Sequence, residues 1–87
     1  MKLIYCKDCD SVVRLVKHEC KCECGRSGGH YVDEDNAEFF GINSIPMGIG
    51  NASFKRAIKN RPHEGFGYQF HAWVMPTVIP TMKYKHR

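Results

Sequence analysis

The sequence of 87 residues lacks a long hydrophobic run. None of its apolar stretches approaches the roughly 18 residues of a membrane-spanning helix. It also lacks an apolar signal region, since Met1–Tyr5 leads directly into Cys6. We therefore expect no membrane partner and a cytoplasmic, reducing location. The length predicts a single domain over residues 1–87, and so small a core commonly needs a metal or a crosslink.

Features typical of an enzyme are also scarce. The histidines and acids that could act as general acids or bases show no spacing that pairs them; they are His30, Asp33, Glu38, His63 and His71. No segment ends in the Gly-Lys-Ser/Thr of a nucleotide-hydrolysing P-loop, and the sequence contains no internal repeat or low-complexity segment. We predict that the protein is not an enzyme and has no catalytic residues.

What the sequence does contain is a pattern of cysteines. The total of five is odd, which argues against a disulfide framework. Four of them form two knuckles, Cys6-Lys-Asp-Cys9 and Cys22-Glu-Cys24-Gly25, with a strand-like stretch between them. Two thiolates one or two residues apart can turn onto one tetrahedral ion, and Gly25 lets the chain leave such a turn. The spacing predicts a structural zinc on Cys6, Cys9, Cys22 and Cys24, with no open position for a catalytic water.

Cys20 leaves an alternative open at this site. Because Cys20, Cys22 and Cys24 alternate, Cys20 and Cys22 could form the second pair and leave Cys24 free. Gly25 favours Cys22 with Cys24. His18 and His30 could each replace a thiolate, but an exposed polar role beside a metal loop is the commoner one for such histidines.

The remaining pattern predicts a small α+β fold with an N-terminal zinc ribbon packed on a short antiparallel sheet and one helix. Residues 1–30 form the ribbon subregion, residues 31–75 hold a hairpin, a glycine loop, the helix and a long strand, and residues 76–87 form an extended tail. The expected strands are Lys2–Tyr5, Ser11–Lys17, His30–Asp33, Ala37–Phe40 and Tyr68–Met75, the last of them the longest and central. Glu34-Asp35-Asn36 favours a hairpin turn, and the three glycines and one proline of Gly41–Asn51 favour a loop or a broken strand.

The predicted helix runs from Ala52 to Asn60. Phe54, Ala57 and Ile58 recur at helical spacing, which places Phe54 and Ile58 against the sheet. Asn51 or Ser53 can cap the first turn, and Pro62 follows the end of the helix.

Charge is distributed unevenly along the chain. Residues 1–30 hold six basic and four acidic side chains, and four thiolates around one zinc add about −2 to that subregion. Residues 31–50 carry four acids and no Lys or Arg, whereas residues 51–87 carry seven Lys and Arg against Glu64 alone. The positive charge is thus concentrated in the last 37 residues.

A second motif lies in Pro46–Arg56. Two glycines precede a helix, and free amides at the positive end of a helix dipole can receive an anion. The candidate ligand-binding residues are Gly48, Gly50, Asn51, Ser53, Lys55 and Arg56, with Trp73 available to stack on a base. A glycine turn before a solvated helix face accounts for the same pattern equally well.

The cysteine segment Cys6-x-x-Cys9…Cys22-x-Cys24-Gly25 resembles zinc-ribbon proteins. The wider run through Lys21-Cys-Glu-Cys-Gly25, Gly29-His-Tyr31, Asn36-Ala-Glu38 and Asn51-Ala-Ser-Phe54 is similar to small zinc-ribbon proteins of bacteria and their phages, a group to which no established activity is attached. The resemblance implies bound metal and an accessory or phage-encoded binding role.

These observations favour a non-catalytic, zinc-stabilised protein that binds a phosphate-bearing ligand such as a nucleotide signal, as a phage-encoded sponge or anti-defence accessory protein would. A protein-binding adaptor or inhibitor is one alternative, because the acidic hairpin and the single tryptophan need no special site. A nucleic-acid-binding zinc ribbon is another, supported by the basic segment and its aromatic residues. A homo-oligomer is compatible with bulk on both faces of Tyr68–Met75.

Overall fold

A computed structural model describes residues 1–86 of the chain. The elements follow in the order β1 (Lys2–Cys6), β2 (Val12–Arg14), β3 (Cys20–Lys21), β4 (Gly28–Tyr31), β5 (Ala37–Phe40), β6 (Ser44–Ile49), α1 (Asn51–Lys59), β7 (Ala72–Val74) and β8 (Met82–Tyr84). The small α+β class is confirmed, and so is a close cluster of four cysteines of the kind found in zinc ribbons.

The strands form two four-stranded sheets rather than the single sheet that was expected. Sheet A has the order β2-β1-β6-β7 and is antiparallel throughout. Sheet B has the order β3-β4-β5-β8, in which β5 and β8 are parallel. The chain therefore builds β1 and β2 of sheet A, crosses to sheet B for β3 to β5, returns to sheet A with β6 and β7, and ends in sheet B with β8.

The core contains side chains from both sheets. Ile4 comes from β1 in sheet A, Ala37 and Phe39 alternate along β5 in sheet B, and Met82 comes from β8. Leu15, just after β2, completes this buried cluster. Its five side chains are few for a protein of this size, which fits the expectation that a further staple is needed.

Several predicted elements are confirmed with small shifts in their ends. The strand predicted at Lys2–Tyr5 is β1, the one predicted at Ser11–Lys17 shortens to β2, and the helix begins and ends one residue earlier than expected. The hairpin is formed by β4 and β5. Its turn is held by Asp33, whose carboxylate accepts hydrogen bonds from the backbone amides of Asp35 and Asn36 at 2.9 and 2.8 Å.

The prediction of a loop or broken strand at Gly41–Asn51 was wrong. Residues 44–49 form the six-residue strand β6, which pairs with β1 on one side and β7 on the other. Pro46 is tolerated in this central strand because it lies where the pairing with β7 ends. Its carbonyl still accepts a hydrogen bond from the Met75 amide at 2.9 Å, just beyond Val74.

The predictions for the C-terminal third were also wrong. Only Ala72–Val74 of the expected long, central strand pairs with a neighbour, and β7 is an edge strand. Residues 76–86 are not simply an extended tail, because Met82–Tyr84 joins sheet B as β8 and Met82 is almost completely buried. Arg87 lies outside the described residues.

The helix differs from the prediction in its contacts. Ile58 is 62% exposed and does not face a sheet, whereas Ala57 is buried and Phe54 packs edge-to-face on Phe70. The N-cap residue is Gly50, and no side chain caps the first turn by a hydrogen bond. The expected caps were wrong because Ser53 Oγ donates to the Gly50 carbonyl instead of accepting a helix amide.

Candidate metal centre and ligand surface

Four cysteines converge at one end of the molecule. The Sγ atoms of Cys6, Cys9, Cys22 and Cys24 all lie within 4.8 Å of one another. Cys6 ends β1 and Cys9 lies in the turn that follows, so both belong to sheet A. Cys22 and Cys24 lie in the turn between β3 and β4 of sheet B. A shared ion at this cluster would therefore join the two sheets covalently through its ligands.

Each knuckle is a tight turn closed by backbone hydrogen bonds. In the first, the Asp10 amide donates to the Cys6 carbonyl at 2.8 Å, and in the second the Gly25 amide donates to the Cys22 carbonyl at 3.0 Å. The chain leaves each of the two turns through a residue in the left-handed region, Asp10 with φ 58° and Gly25 with φ 79°. Asp is one of the few side chains that tolerate this region, and Gly tolerates it freely. Gly25 therefore lies, as expected, where the chain leaves the second knuckle in a conformation that most side chains resist.

The separation of the sulfurs matches a tetrahedral metal. A zinc–sulfur distance of about 2.3 Å implies sulfur–sulfur distances of about 3.8 Å in a tetrahedron. The Sγ atom of Cys24 lies 3.8 Å from that of Cys6 and 3.5 Å from that of Cys22. The Ser27 amide donates to Cys22 Sγ at 3.3 Å, an outer contact that orients a metal ligand. The donor set therefore fits one tetrahedrally coordinated metal ion.

The pKa values of Cys9 and Cys24 indicate what a bound cation would contribute at this cluster. The Ser11 hydroxyl, 3.0 Å from Cys9 Sγ, and the Cys24 amide lower the pKa of Cys9 to about 6. At Cys24 the amide of Arg26 acts in the same direction, but partial desolvation and the neighbouring thiols outweigh it and raise the pKa to about 12. Four packed sulfurs therefore resist becoming thiolates together, and a divalent cation supplies the charge that allows it.

Cys20 lies outside the cluster. Its Sγ atom contacts the carbonyl of His18 at 3.6 Å, and Cys20 pairs with Gly29 in sheet B. His30 lies on β4 opposite Glu38. Among the described residues the metal-ligating group contains the four cysteines of the knuckles and neither histidine. The geometry thus selects Cys24 over Cys20 as the partner of Cys22.

Polar contacts surround this end of the two sheets. The Asn43 amide group donates to the carboxylate of Asp8 at 2.9 Å, and the Lys7 amide donates to the Asn43 carbonyl at 3.0 Å. Arg26 of the second knuckle reaches Asp8 at 3.9 Å. These contacts connect the first knuckle to the second knuckle and to the turn before β6.

The predicted ligand-binding residues do come together, at the opposite end of β6. Gly48 pairs with Trp73 across sheet A, and the Gly50 amide donates to the His71 carbonyl at 2.9 Å. The His71 amide donates to Ser53 Oγ at 3.0 Å, which fastens β7 to the start of α1. Lys55 and Arg56 are exposed in the first two turns of the helix.

The glycines, however, do not form the anion-binding loop that was predicted. Gly48 lies within a paired strand. Gly50 has φ −68°, and its amide is already hydrogen-bonded to the His71 carbonyl. The Oδ1 atom of Asn51 accepts a hydrogen bond from the Met1 amino nitrogen at 2.7 Å. What remains for an anion at this end is therefore the cationic side chains rather than a cradle of glycine amides.

Exposure of the segment from the end of α1 to β7 along its whole length was not predicted from the sequence. Every residue from 58 to 74 is exposed, although four of these residues are Phe, Tyr or Trp. We call the following eight residues the aromatic–basic surface: Lys55, Arg56, Lys59, Arg61, Phe66, Tyr68, Phe70 and Trp73. The signal that could have indicated it is Gly65-Phe66-Gly67, in which a lone Phe lies between two glycines.

A separate cleft of about 410 Å³ opens between the two sheets. Its walls are mostly apolar and include Phe39, Pro46, Met75 and Tyr84. No Lys or Arg of the described chain lines it. The cleft therefore lacks the charge that a phosphate group would need.

Comparison of the chain with protein-family models, with curated proteins and with solved structures gave no match. Among the described residues, no helix combines the length and the apolar character that crossing a bilayer requires.

Proposed function

We propose that the protein is a non-catalytic, cytoplasmic, zinc-stabilised binding protein whose ligand carries phosphate, such as a nucleotide signal. The observation that carries this proposal is the aromatic–basic surface, in which four exposed Lys and Arg side chains in and just after α1 are followed by four exposed rings in a segment that packs on α1 through Phe70 and Phe54. A role as a phage-encoded sponge or anti-defence accessory protein is supported by the sequence resemblance and by the small size of the chain.

Zinc is the proposed metal, and Cys6, Cys9, Cys22 and Cys24 are its ligands. Four thiolates prefer a soft or borderline cation, and a closed tetrahedral set is typical of structural zinc. The ion would supply charge compensation and a crosslink between sheets, because all four of its positions are filled by protein.

Replacement of single cysteines tests this assignment. We expect Cys24→Ser to lose the metal and most of the folded protein, because metal binding contributes directly to folding. The matched change Cys20→Ser should retain one zinc per chain, since Cys20 lies outside the cluster. Elemental analysis of freshly purified protein gives the stoichiometry. Full zinc content in Cys24→Ser, or its loss in Cys20→Ser, would contradict the assignment.

The phosphate preference follows from the composition of the surface. Lys55, Arg56, Lys59 and Arg61 are exposed, and no ion pair engages them within the described chain. Flat rings beside unpaired cations match a ligand that combines phosphate with a base. The acidic turn at residues 33–35 is not part of this surface, because it connects two strands of sheet B. There the Asp33 carboxylate accepts hydrogen bonds from Asn36.

Calorimetric titration with nucleoside monophosphates, cyclic dinucleotides and short oligonucleotides tests the proposal. At low salt, at least one should bind, and the double change Lys55→Ala with Arg56→Ala should weaken it several-fold through lost charge-assisted contacts. Lys17→Ala is the matched control, because Lys17 is exposed after β2, at the edge of sheet A opposite β7. Absence of binding by every member of the panel would refute a phosphate ligand.

A protein-binding adaptor or inhibitor is the second candidate, and the exposed apolar side chains favour it. Ile58, Phe66 and Val74 are 62%, 111% and 67% exposed, and exposed apolar side chains that form one patch mark a protein-binding site. Binding to a host protein, or to a second copy in a homo-oligomer, would bury them. Light scattering of the zinc-loaded protein measures directly whether it forms a homo-oligomer.

A further inference from the structure

We propose that the aromatic–basic surface binds an unpaired nucleic-acid strand several nucleotides long, with the rings of Phe66 and Tyr68 stacking on its bases. This inference rests on the proposed function, since it specifies the phosphate-bearing ligand of the same surface.

The first observation is the presentation of Phe66. Gly65 and Gly67 on either side have φ of 104° and 94°, in the region that favours glycine. No atom lies within 4 Å of the point where a Cβ would stand at either glycine. The loop therefore holds a fully exposed Phe ring in open solvent, an arrangement that contributes nothing to the core and suits contact with a ligand.

The second observation is that the neighbouring rings are fixed in place. Phe70 packs edge-to-face on Phe54 with 5.0 Å between ring centroids, and Trp73 stacks on His71 at 5.1 Å. Gly48 leaves room for the Trp73 ring, which lies 2.6 Å from where a Cβ would stand. Phe70 and Trp73 anchor the segment to α1 and β6, so the rings of Phe66 and Tyr68 extend from a firm base.

The number and spacing of the groups favour a strand over a single nucleotide. Among the described residues no ring contact joins Phe66 to Tyr68, so each of these two rings can receive a base of its own. Lys55 and Lys59 are four residues apart on one face of α1, about 6 Å along its axis, and Arg61 follows beyond its end. Cations spread along a line follow a phosphate backbone, whereas a mononucleotide site would converge on one phosphate.

The rings also explain why the strand must be unpaired. Bases in a duplex are stacked on each other and hide their faces, whereas stacking on aromatic side chains needs free faces. An acidic protein would satisfy the four cations but would leave the flat exposed rings without a matching surface. Exposed rings together with cations thus favour a single strand over either partner.

Titration of the full-length, zinc-loaded chain tests the inference through its single tryptophan. Trp73 belongs to the surface and is 41% exposed, so its fluorescence reports binding without a label. The probes are thymidine monophosphate, oligothymidylates of 4, 8 and 12 nucleotides, and a 12-base-pair duplex. We expect the 12-mer to bind at least about tenfold more tightly than the monophosphate, because each further phosphate contact adds to affinity. The duplex should bind more weakly than the 12-mer.

Two variants separate stacking from charge. Phe66→Ala should weaken 12-mer binding about 5- to 140-fold, the range for loss of one stacked base, without changing the salt dependence. Lys59→Ala should reduce the slope of log affinity against log salt by about 0.7, the value for one single-strand phosphate contact. The controls are Ile42→Ala, an 87% exposed apolar residue at the other end of β6, and Lys17→Ala. Neither control should change affinity or slope.

The outcomes distinguish this inference from the proposed function. If the monophosphate binds as tightly as the 12-mer, or the duplex as tightly as the single strand, the inference is wrong and the phosphate ligand stands. If Phe66→Ala and Tyr68→Ala both leave 12-mer binding unchanged, or polyglutamate binds equally well, the stacking inference is also overturned. If no probe and no nucleotide of the calorimetric panel binds, the proposed function fails and the inference fails with it.

Discussion

Two glycines close together in the chain illustrate how differently the same residue type is used. Gly48 is buried in β6, and an added Cβ would lie 2.6 Å from Cζ2 of Trp73 and 2.8 Å from Cε of Met75. Gly50 has an ordinary φ, and an added Cβ would lie 3.1 Å from Ser53 Oγ and at ordinary contact distances of 3.7 and 3.8 Å from atoms of His71. The first glycine is needed for the close approach of a ring, whereas the second is not needed for a special backbone conformation.

We therefore expect Gly48→Ala to displace the Trp73 ring and destabilise the protein by about 1–3 kcal/mol, the usual range for overpacking. Gly50→Ala should change stability by less than about 1 kcal/mol, since a poorer cap is offset by reduced freedom of the unfolded chain. Chemical denaturation measures both, and the Trp73 emission should shift only in Gly48→Ala. Equal stability of the two variants would show that the ring is not held against Gly48.

Residue-level prediction from sequence succeeded where chemistry is local. The spacing of the knuckles and Gly25 pointed to the same four thiols that the fold brings together, because ligands one or two residues apart meet whatever the rest of the chain does. The glycines before α1 were misread for the opposite reason. Whether Gly48 frees an amide or makes room for Trp73 depends on a contact between residues 25 positions apart.

At the scale of elements, the same limit explains β6 and β8. Pro46 and three nearby glycines indicate a loop by local rules, yet the strand forms because β1 and β7 pair with it and Pro46 lies where one ladder ends. Met82–Tyr84 has no distinctive strand pattern of its own, and it becomes β8 through parallel pairing with β5. The alternation in Tyr68–Met75 predicted a strand correctly only where a partner exists, at Ala72–Val74.

The role of β8 can be tested by truncating its buried side chain. Met82 is 1% exposed and belongs to the core cluster, so Met82→Ala should cost about 2–5 kcal/mol through a cavity and lost burial. Val78→Ala is the control, because Val78 is 86% exposed in the preceding segment and should change stability by less than about 0.5 kcal/mol. Thermal denaturation of the zinc-loaded proteins measures both changes. A small loss of stability in Met82→Ala would indicate that β8 does not pack as a strand of sheet B.

At the scale of the whole molecule, the cysteine cluster and the core act at different places on the same interface. The core contacts between sheets A and B involve five buried side chains, and the four thiols bring the two sheets together at the cysteine cluster. A domain of this length buries a modest fraction of its surface. A metal held by these thiols would therefore close an interface that the apolar core alone covers sparsely.

Removal of the metal should consequently unfold both sheets together. Structural zinc contributes about 10–16 kcal/mol of apparent binding free energy in small zinc-finger peptides, as much as the whole stability of a typical domain, about 5–15 kcal/mol. Excess chelator at neutral pH should abolish the near-ultraviolet circular dichroism and the amide protection of β1, β4 and β5, and added zinc should restore them. Cys20→Ser should respond in the same way. If the chelated protein kept protected amides in β4 and β5 and a cooperative unfolding transition, the apolar core would suffice and the metal would be an accessory to the fold.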